Sequence, residues 1–516
     1  MTEVSIENLP YCGDYDVVVI GAGIVGSMIV RELSKFEGKF ALLEKETFSG
    51  FGVSKANPSM LHSPLVFPSG PLRIKLAYNA ALRYKKLAEE LDVVFKEVDE
   101  IFVALEPPQL VKLEAANNWA KENHVSAGHR IIGPEKLWEV EPQVTKSAIG
   151  ALYGKKCSSA IYAPEWTFAL TENAMQNGFH VYFDTPVLNI TREADYGFSI
   201  QTQKGRLKTH YIINAAGLFA DEIARMVGDS DIHLTLTKGT MAILDKSSSH
   251  IVRNLVYGTY GKDHSQLISQ TAHGNLLIGL GYFTTPENKR DTKVTREKLQ
   301  EVIAMGKELI PAISEKDIIT SFAGIRSENN KAPRGDFHIA QSDHAPGVIH
   351  AIIGSPGLTA APAIAELMTK LLSDAGMVIV EKRDFQKKRV GWPRFEPGSL
   401  SERQKMIASN PKYAHIVCRC EQVMEAEILE AIRRGANTMD AVKHITRAGM
   451  GRCQGGFCGI TVLNHLAKQL RIPPTQVTKK GKGSHQIIWV CEKERKGDKV
   501  NDNNTRNNEG RRIDGL

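Results

Sequence analysis

Apolar residues in the first part of the chain fall into short continuous runs, each followed by glycines or by a polar turn. Residues 16–20 form such a run, which predicts a buried parallel strand, and residues 27–33 after the glycines predict a helix. A second apolar run at residues 40–43 predicts another strand, which ends at the acidic Glu44. Strand, glycine turn, helix and strand in this order indicate an α/β fold with a parallel sheet.

The same alternation returns twice along the chain, on either side of a segment with a different pattern. Residues 211–217 predict a strand that leads into small residues and then a helix at 218–227. Residues 350–357 predict a strand and a glycine turn before a helix at 359–372. Between them, residues 231–283 contain short alternating segments that are typical of antiparallel strands. The pattern therefore predicts a parallel α/β fold that is interrupted by a mostly antiparallel insertion and completed afterwards.

The last part of the chain has a sequence pattern that differs from both the parallel α/β pattern and the antiparallel one. Residues 376–412 contain prolines 393, 397 and 411 and predict a connecting arm. Apolar positions at helical spacing then predict three short amphipathic helices around a group of cysteines. These positions are Ile428, Leu429, Ile432, Val442, Ile445, Leu463, Leu466 and Leu470. Beyond residue 475 the chain is polar and is predicted to be disordered.

The glycines after the first strand have the spacing of a dinucleotide-binding turn. Gly21 permits the tight turn, Gly23 allows the backbone to approach a pyrophosphate, and Gly26 allows close packing of helix on strand. The N-terminus of the helix then faces the phosphates, and Glu44 is placed to accept hydrogen bonds from ribose hydroxyls. A second GxGxxG motif does not occur in the sequence, which argues against an additional NAD(P)H site.

Four of the seven cysteines lie close together near the end of the chain. They form the pairs Cys418-x-Cys420 and Cys453-x4-Cys458, the donor set that a [2Fe–2S] cluster or a structural zinc ion requires. The tight C-x-C pair favours iron–sulfur, because zinc pairs are usually spaced C-x2-C to C-x4-C. A disulfide-stapled module would need an oxidising compartment, which nothing else in the sequence indicates.

Composition limits the remaining possibilities. The net charge of +7 is modest and gives no reason to expect a nucleic-acid partner. No apolar run reaches the roughly 18 residues of a membrane-spanning helix, and the apolar start carries acidic residues and glycines instead of the features of a signal peptide. A cytoplasmic protein is expected. From residue 479 on, the chain contains ten Lys/Arg and six Asp/Glu. This positive charge gives an alternative to a purely cytoplasmic location, a weak attraction to anionic membrane surfaces.

Several motifs together resemble a known family. They are GAGIVG (21–26), SKAN (54–57) with His62, INAAGLFADEIA (213–224), HGNLLIG (273–279), FAGIR (322–326), GSPGLTAAP (354–362), CRCE (418–421) and RAGMGRCQGGFCG (447–459). Because these motifs occur in this order, the chain resembles flavoproteins of the glycerol-3-phosphate dehydrogenase and D-amino-acid oxidase superfamily. The resemblance is strongest to anaerobic-type members that carry a bacterioferritin-associated-ferredoxin-like [2Fe–2S] domain, and it covers residues 14–475.

The resemblance implies a division of the chain and two cofactors, FAD and a [2Fe–2S] cluster. A Rossmann-like FAD-binding domain is expected at residues 14–95, 150–230 and 325–375, with a substrate domain at 96–149 and 231–324. The arm (376–412), the cluster domain (413–475) and the tail (476–516) follow. The residues expected to contact FAD are Gly21, Ala22, Gly23, Ile24, Val25, Gly26, Glu44, Lys45, Ser54, Lys55, Ala56, Asn57, Val187, Ala215, Ala216, Gly217, Gly324, Gly354, Pro356, Gly357, Leu358 and Thr359. The expected cluster ligands are Cys418, Cys420, Cys453 and Cys458.

The resemblance also implies how the substrate is handled. His62 is the expected base, Arg326 the expected anchor of an anionic group, and Ser355 a hydrogen-bonding partner of the substrate. The chain departs from the family pattern at Pro58-Ser59, where the family usually continues with Ser-Gly. It departs again after Arg326, where the usual proline is missing. A structural histidine at position 62 and an ordinary ion pair at Arg326 remain the alternatives.

Three functions are compatible with these features. The first is an FAD-dependent dehydrogenase of sn-glycerol 3-phosphate that passes electrons through the cluster to a partner protein or a quinone. The second is a flavoenzyme for another small anion, such as 2-hydroxyglutarate, an amino acid or an N-alkyl amino acid. The third is a non-catalytic subunit that uses both cofactors only as a relay.

Overall fold

The computed structural model describes residues 11–487 except for seven short stretches: 67–69, 126–127, 195–196, 259–263, 333–334, 392–393 and 397. The described strands form two large sheets and one small one, and they are numbered β1 to β19 along the chain. The part of the predicted tail beyond residue 487 lies outside the described residues, as does Cys491.

The first sheet is the predicted parallel α/β sheet. Its strand order is β16-β17-β10-β1-β2-β7, and β9 pairs antiparallel with β10 while β8 pairs antiparallel with β9. The bounds are β1 Tyr11–Ile20, β2 Phe40–Leu43, β7 His180–Tyr182, β8 Val187–Glu193, β9 Gly197–Thr202, β10 Gly205–Asn214, β16 His338–Gln341 and β17 Val348–Ile352. In β1, Val17, Val18 and Val19 are completely buried because helices cover one face and the β8–β9 hairpin covers the other.

Four helices pack on one face of this sheet and on each other. They are α1 (Ile24–Leu33), α2 (Pro71–Leu91), α5 (Ala163–Gln176) and α8 (Gly357–Asp374). The helix α6 (Ala220–Met226) lies towards the other face, where Ile223 packs with the apolar residues of β8 and β9. Each of α1, α6 and α8 follows one of the strand and glycine patterns in the sequence, so the periodicity predicted these units correctly.

The second sheet is almost entirely antiparallel. Its order is β15-β11-β14-β13-β12-β4-β6-β3, with β5 paired to β6 and with β12 parallel to β4. The bounds are β3 Met60–Leu61, β4 Phe95–Ala104, β5 Arg130–Ile132, β6 Gly150–Ile161, β11 Leu234–Leu244, β12 Leu255–Gly258, β13 His264–Gln270, β14 Leu276–Thr284 and β15 Ile318–Asn329. The helices around it are α3 (Pro107–Glu122), α4 (Pro134–Val140) and α7 (Arg296–Leu309).

The boundary between the two sheets differs from the expected division. Strand β6 lies within residues 150–230, which the sequence places with the FAD-binding domain, yet it pairs with β4 in the second sheet. The short strand β3 also pairs with β6. Residue 150 therefore begins a strand of the second sheet, and the chain returns to the first layer at α5. Periodicity did not reveal this because a buried apolar strand looks alike in either sheet.

The C-terminal unit contains α9 (Leu400–Ser409), β18 (Ile416–Cys418), β19 (Val423–Met424), α10 (Glu425–Arg433), α11 (Met439–Thr446) and α12 (Gly459–Leu470). The last three are the predicted amphipathic helices, and their apolar faces meet around Ile428, Val442 and Leu463. Phe48 and Phe51, which belong to the nucleotide-binding part of the chain, extend the same apolar core. The unit is therefore docked on the rest of the molecule through buried apolar surface.

The start of the predicted tail is ordered. Residues 476–487 turn back on themselves, with a β-bridge between Thr478 and His485. The ammonium of Lys479 lies 2.6 Å from a carboxylate oxygen of Asp440 at the start of α11. The expected disorder therefore does not begin at residue 476.

Candidate active site and cluster site

The glycine turn between β1 and α1 has the predicted geometry. Gly21 has a φ of +105°, which side chains of L-residues rarely adopt. A Cβ on Gly21 would collide with the carbonyl oxygen of Ala215 at the end of β10. A Cβ on Gly26 would collide with the carbonyl oxygen of Gly21. Both glycines are thus required for the turn to sit tightly between the helix and the strand.

Glu44 has a structural role that the sequence did not reveal. One carboxylate oxygen accepts a hydrogen bond from the backbone N–H of Ala22 at 2.6 Å, and the other accepts from the backbone N–H of Glu46 at 2.9 Å. Burial raises the pKa of this carboxyl above its ordinary value, while the two backbone donors oppose the shift. Glu44 therefore braces the glycine turn, and its remaining lone pairs can still accept from ribose hydroxyls.

The segment from Ser54 to Asn57 covers the glycine turn. The hydroxyl oxygen of Ser54 accepts a hydrogen bond from the backbone N–H of Ile24 at 2.8 Å, at the N-terminus of α1. Asn57 holds the segment in shape, because its amide donates to the carbonyl oxygens of Val53 and Ser54. A Cβ on Gly324 in β15 would collide with the carbonyl oxygen of Ala56, so FAGIR and SKAN meet as closely as backbones allow.

Three further groups of residues expected at the cofactor lie near this turn. Lys45 lies with its ammonium 3.1 Å from the centre of the Phe219 ring, and burial lowers the pKa of Lys45. Val187 begins β8 and packs against the apolar layer that contains Ile20. Ala215 to Gly217 follow β10, and Gly217 has a φ of +57° with open space where a Cβ would lie. Ala215 also lies directly against Gly21, so this segment adjoins the glycine turn.

The start of α8 lies at the other end of the site. A Cβ on Gly354 would meet the carbonyl oxygen of Ser327 at 2.5 Å, so the GSPG turn touches β15. The hydroxyl oxygen of Thr359, in the first turn of α8, accepts a hydrogen bond from the backbone N–H of His62 at 3.0 Å. The segments that follow SKAN, FAGIR and GSPG are therefore brought together, as the motifs imply.

His62 is half-buried and contacts a tyrosine that sequence reasoning missed. The Nδ1 atom of His62 lies 2.6 Å from the hydroxyl oxygen of Tyr257 in β12, and the Tyr257 ring stacks on Phe102 at 4.6 Å. Loss of contact with water lowers the pKa of His62 to about 4, so the imidazole is neutral near pH 7 and able to accept a proton. Tyr257 lies in an apolar strand without a motif, so only the fold reveals the pair.

Arg326 lies in β15 beside polar atoms that lack partners. Its guanidinium is 3.1 Å from a carboxylate oxygen of Glu328 and 5.0 Å from the centre of the Phe283 ring. Its Nε atom is buried without a hydrogen-bond partner among the described residues, and so is the hydroxyl of Thr237, the residue paired with Arg326 across the β11–β15 ladder. Because buried polar groups are normally hydrogen-bonded, this position suits an anionic ligand.

A second arginine lies beside this position. A guanidinium nitrogen of Arg73, in the first turn of α2, donates to the carbonyl oxygen of Gly335 at 2.9 Å and approaches that of Ser355 at 3.4 Å. Burial lowers the pKa of Arg73, and the nearby charge of Arg326 acts in the same direction. Sequence reasoning missed Arg73, because it stands in an ordinary amphipathic helix. Ser355 is half-buried between Arg73 and the start of α8.

The four predicted cluster ligands converge. The sulfur atoms of Cys420 and Cys453 are 3.7 Å apart. The Cys458 thiol donates a hydrogen bond to the sulfur of Cys418, which lowers the pKa of Cys418 to about 6. A Cβ on Gly451 would collide with Cys420, so a glycine is needed for the second loop to approach the first. Two pairs of thiols brought face to face from two loops fit a [2Fe–2S] cluster.

The fold and the two sites define a flavin-dependent oxidoreductase with an iron–sulfur domain. Residues 16–371 match the model of the FAD dependent oxidoreductase family, and the chain belongs to that family. Residues 416–468 match the BFD-like [2Fe-2S] binding domain. The protein therefore binds FAD and a [2Fe–2S] cluster, and both resemblances drawn from the motifs are confirmed.

Several relatives match most of the chain. A protein of Caloramator mitchellensis named "Glycerol 3-phosphate dehydrogenase" is 35% identical over 93% of this chain and 99% of its own length. One subunit of the anaerobic glycerol-3-phosphate dehydrogenase of Escherichia coli is 23% identical over 92% of this chain and 93% of its own length. The solved structure of L-alpha-glycerophosphate oxidase from Mycoplasma pneumoniae with FAD bound has a TM-score of 0.67. It is 24% identical, and the match covers 74% of this chain and 100% of that one.

Over the residues that the structure describes, none of the helices is both long enough and apolar enough to cross a bilayer.

Proposed function

We propose that the protein oxidises sn-glycerol 3-phosphate to dihydroxyacetone phosphate and passes the electrons through the [2Fe–2S] cluster to a one-electron carrier protein or a quinone. The match to the Caloramator mitchellensis protein over 93% of this chain supports this substrate, because that protein is named "Glycerol 3-phosphate dehydrogenase". The observation that carries the proposal is a pair of buried polar atoms, Arg326 Nε and Thr237 Oγ1, that lack a hydrogen-bond partner among the described residues. They offer hydrogen bonds to a phosphate at the end of the site where FAGIR meets GSPG.

The chain's own residues supply proton transfer and anchoring, while bound FAD supplies the hydride acceptor. The neutral imidazole of His62 is suited to take the proton of the substrate hydroxyl. For Nε2 of His62 to accept that proton, Nδ1 must carry the other one and donate it to the hydroxyl oxygen of Tyr257. Arg326 holds the phosphate, and Arg73 adds positive charge nearby.

The start of α8 contributes to the same chemistry. Its N-terminal residues, Gly357 to Thr359, lie where the motifs place the flavin, and a helix N-terminus stabilises negative charge. The hydroxyl of Thr359 also fixes the backbone of His62. One short segment thus links the flavin position to the position of the proposed base.

The electron route follows from the chemistry of the two cofactors. A flavin takes up two electrons as a hydride, whereas a [2Fe–2S] cluster carries one electron at a time. A cluster domain that is packed on the flavin domain is therefore useful for emptying the flavin stepwise into a one-electron acceptor. We accordingly propose dehydrogenase activity with dyes or quinones and slow turnover with oxygen.

A different small anion is the second candidate. Relatives named "L-2-hydroxyglutarate dehydrogenase, mitochondrial" from Caenorhabditis elegans and "Glycine oxidase" from Geobacillus kaustophilus are each 26% identical, over 47% and 61% of this chain. The residues after Arg326, Ser327 to Asn330, lack the proline that the motif usually has, and Ser327 touches the GSPG turn at the same end of the site. A relay protein without its own substrate is the third candidate.

One experiment separates the three. Anaerobic protein loaded with FAD and iron is mixed with a panel of glycerol 3-phosphate, 2-hydroxyglutarate, amino acids and N-alkyl amino acids, and bleaching of the flavin is recorded. Glycerol 3-phosphate is expected to bleach the flavin fastest. Faster bleaching by another member of the panel would replace the proposed substrate, and no bleaching by any of them would favour the relay protein.

A further inference from the structure

The cluster site is open on one side. Cys418 and Cys458 are only 2% and 3% exposed, whereas Cys420 is exposed and Cys453 is half-exposed. The exposed pair is also the pair whose sulfur atoms approach to 3.7 Å. One edge of the bound cluster therefore reaches the surface of the protein.

Two large apolar side chains stand beside this edge. Phe457, the neighbour of Cys458, is 85% exposed, and Ile460 in the first turn of α12 is 59% exposed. The rest of α12 buries its apolar residues, Val462, Leu463 and Leu466, in the core of the cluster domain. Phe457 and Ile460 contribute nothing to that core, and an exposed aromatic side chain beside a functional edge is typical of an interface anchor.

The surface around the same edge is positively charged. Residues 411–476 contain nine Lys/Arg and five Asp/Glu. Each of the five carboxylates is engaged within the protein by a cation or by backbone N–H groups: Glu421, Glu425, Glu427, Glu430 and Asp440. Arg419, between two ligands, is exposed, and so is Arg452, which precedes a third ligand and contacts Asp245 at 3.2 Å. The rim of the cluster edge thus carries two exposed guanidinium groups, of which that of Arg452 is paired with Asp245.

The opposite side of the cluster loop is fixed to the rest of the molecule. Arg447 contacts Glu421 at 3.0 Å, donates to the side chain of Asn275 in the turn before β14 at 3.1 Å, and lies over the ring of Tyr162 at 5.6 Å. Lys246 contacts the same Glu421 at 3.0 Å. The inner side of the loop therefore faces the segments around the second sheet, and Phe457 is exposed to solvent.

We propose that the surface formed by Arg419, Cys420, Arg452, Phe457 and Ile460, the exit face, docks an acidic one-electron carrier protein. The inference rests on the proposed function, since it names the partner of that electron route. In the docked complex the reduced cluster loses one electron and the carrier gains it. The apolar pair provides the contact, and the guanidinium groups of the rim steer an acidic partner and orient it.

The charge and the small apolar area of the exit face favour a carrier protein over a second copy of the chain. A second copy would bring the same guanidinium groups against one another, and like charges oppose such a contact. Two apolar side chains also offer far less than the roughly 1,000 Å² that a stable interface buries, whereas transient redox encounters use small areas. An anionic membrane surface is the other possible occupant, and the experiment below distinguishes it.

The test uses the holoprotein with an acidic flavodoxin and an acidic cytochrome b5 as probes. The cluster is reduced with dithionite, and the excess dithionite is removed. Electron transfer to each oxidised probe is then followed by stopped flow at ionic strengths from low to high. Binding of the oxidised probes is measured separately by calorimetry. Because dithionite replaces the substrate, failure of the proposed substrate oxidation does not affect the outcome.

The variants are Arg419→Glu and Phe457→Ser, and both must retain the iron content and electron paramagnetic resonance signal of the parent. We expect the parent rate to fall with salt, Arg419→Glu to transfer at least tenfold more slowly at low salt, and Phe457→Ser to be several-fold slower. Transfer to a neutral quinone is expected to stay unchanged. Lys112→Glu and Leu82→Ser, at exposed positions on α3 and α2, are the matched controls.

Equal rates and equal binding for parent and both variants with both probes would overturn the proposal. So would binding of the parent to vesicles of anionic phospholipid that Phe457→Ser abolishes while carrier rates stay the same, since the face would then be a membrane contact. Sedimentation that shows dimers in the parent but monomers in Phe457→Ser would assign the face to a second copy instead.

Discussion

The Nδ1 atom of His62 lies 2.6 Å from the hydroxyl oxygen of Tyr257, and the two residues come from different parts of the chain. His62 follows the segment that covers the glycine turn, and Tyr257 stands in the second sheet. The proposed base is thus held where the two layers of the molecule meet, with one ring nitrogen in contact with the tyrosine.

Replacing the tyrosine should therefore impair catalysis without preventing FAD binding. In Tyr257→Phe, His62 loses the hydroxyl that contacts Nδ1, so the tautomer whose Nε2 can act as the proposed base loses a stabilising contact. We expect the rate of flavin reduction by glycerol 3-phosphate to fall at least about tenfold. Tyr153→Phe is the matched control, because the Tyr153 hydroxyl contacts Asp99 elsewhere in the same sheet. Equal rates for Tyr257→Phe and the parent would show that the pair only stabilises the fold.

Replacing Arg326 should weaken the use of substrate. Loss of a charge-assisted hydrogen bond to phosphate costs about 1.5–3 kcal/mol, so Arg326→Ala should lower kcat/KM for glycerol 3-phosphate by at least about tenfold. Arg326→Lys keeps the charge but not the two-pronged donor and should recover only part of the loss. Arg130→Ala, at an exposed arginine of the same sheet, is the control. Unchanged kinetics in Arg326→Ala would remove this residue as the anchor.

Replacing a glycine at the contact of FAGIR with SKAN should release the flavin. The Cβ of Gly324→Ala would collide with the carbonyl oxygen of Ala56, which is backbone and cannot move aside alone. We expect purified Gly324→Ala to contain much less FAD than the parent while retaining its iron. Gly133→Ala should keep both, because a Cβ there meets open space. A full flavin content in Gly324→Ala would show that this contact does not shape the FAD site.

Acid should destabilise the protein partly through His62. Its pKa is about 4 in the folded protein, against an ordinary value of 6.5, because loss of solvent disfavours the charged form. Between these pH values the unfolded chain binds the proton and the folded protein does not, so stability falls as pH falls. The loss attributable to His62 at pH 5 is about 2 kcal/mol.

The check is the melting temperature at pH 7 and pH 5. His62→Asn should lose less stability between these two pH values than the parent does. His124→Asn, at an exposed histidine, should behave as the parent does. An equal drop in His62→Asn and the parent would mean that the fold does not hold His62 neutral.

Much of this architecture could be predicted from the sequence, and the reasons are local. The turn at Gly21 and the helix after Gly357 are short-range patterns, and the cysteine pairs are recognisable from their spacing. The assignment of residues 150–161 to the second sheet could not be predicted, since strand pairing with Phe95–Ala104 is a long-range choice. For the same reason, Tyr257 and Arg73 were missed: each reaches the site only through tertiary packing.

Replacing one cluster ligand should separate the two cofactors. Cys453→Ser removes a thiolate from the exposed pair, and we expect the variant to lose iron and inorganic sulfide while keeping FAD. Iron, sulfide and flavin are assayed on anaerobically purified protein. Stoichiometric zinc without sulfide in the parent would contradict the assignment of the cluster.

In the proposed function, substrate electrons reach the cluster through the flavin. The most direct measurement is an anaerobic titration with glycerol 3-phosphate, in which the flavin absorbance and the electron paramagnetic resonance signal of the reduced cluster are recorded together for the parent and for Cys453→Ser. We predict that the flavin bleaches in both proteins and that the cluster signal appears only in the parent. Bleaching of the parent flavin without any cluster signal would contradict this electron route.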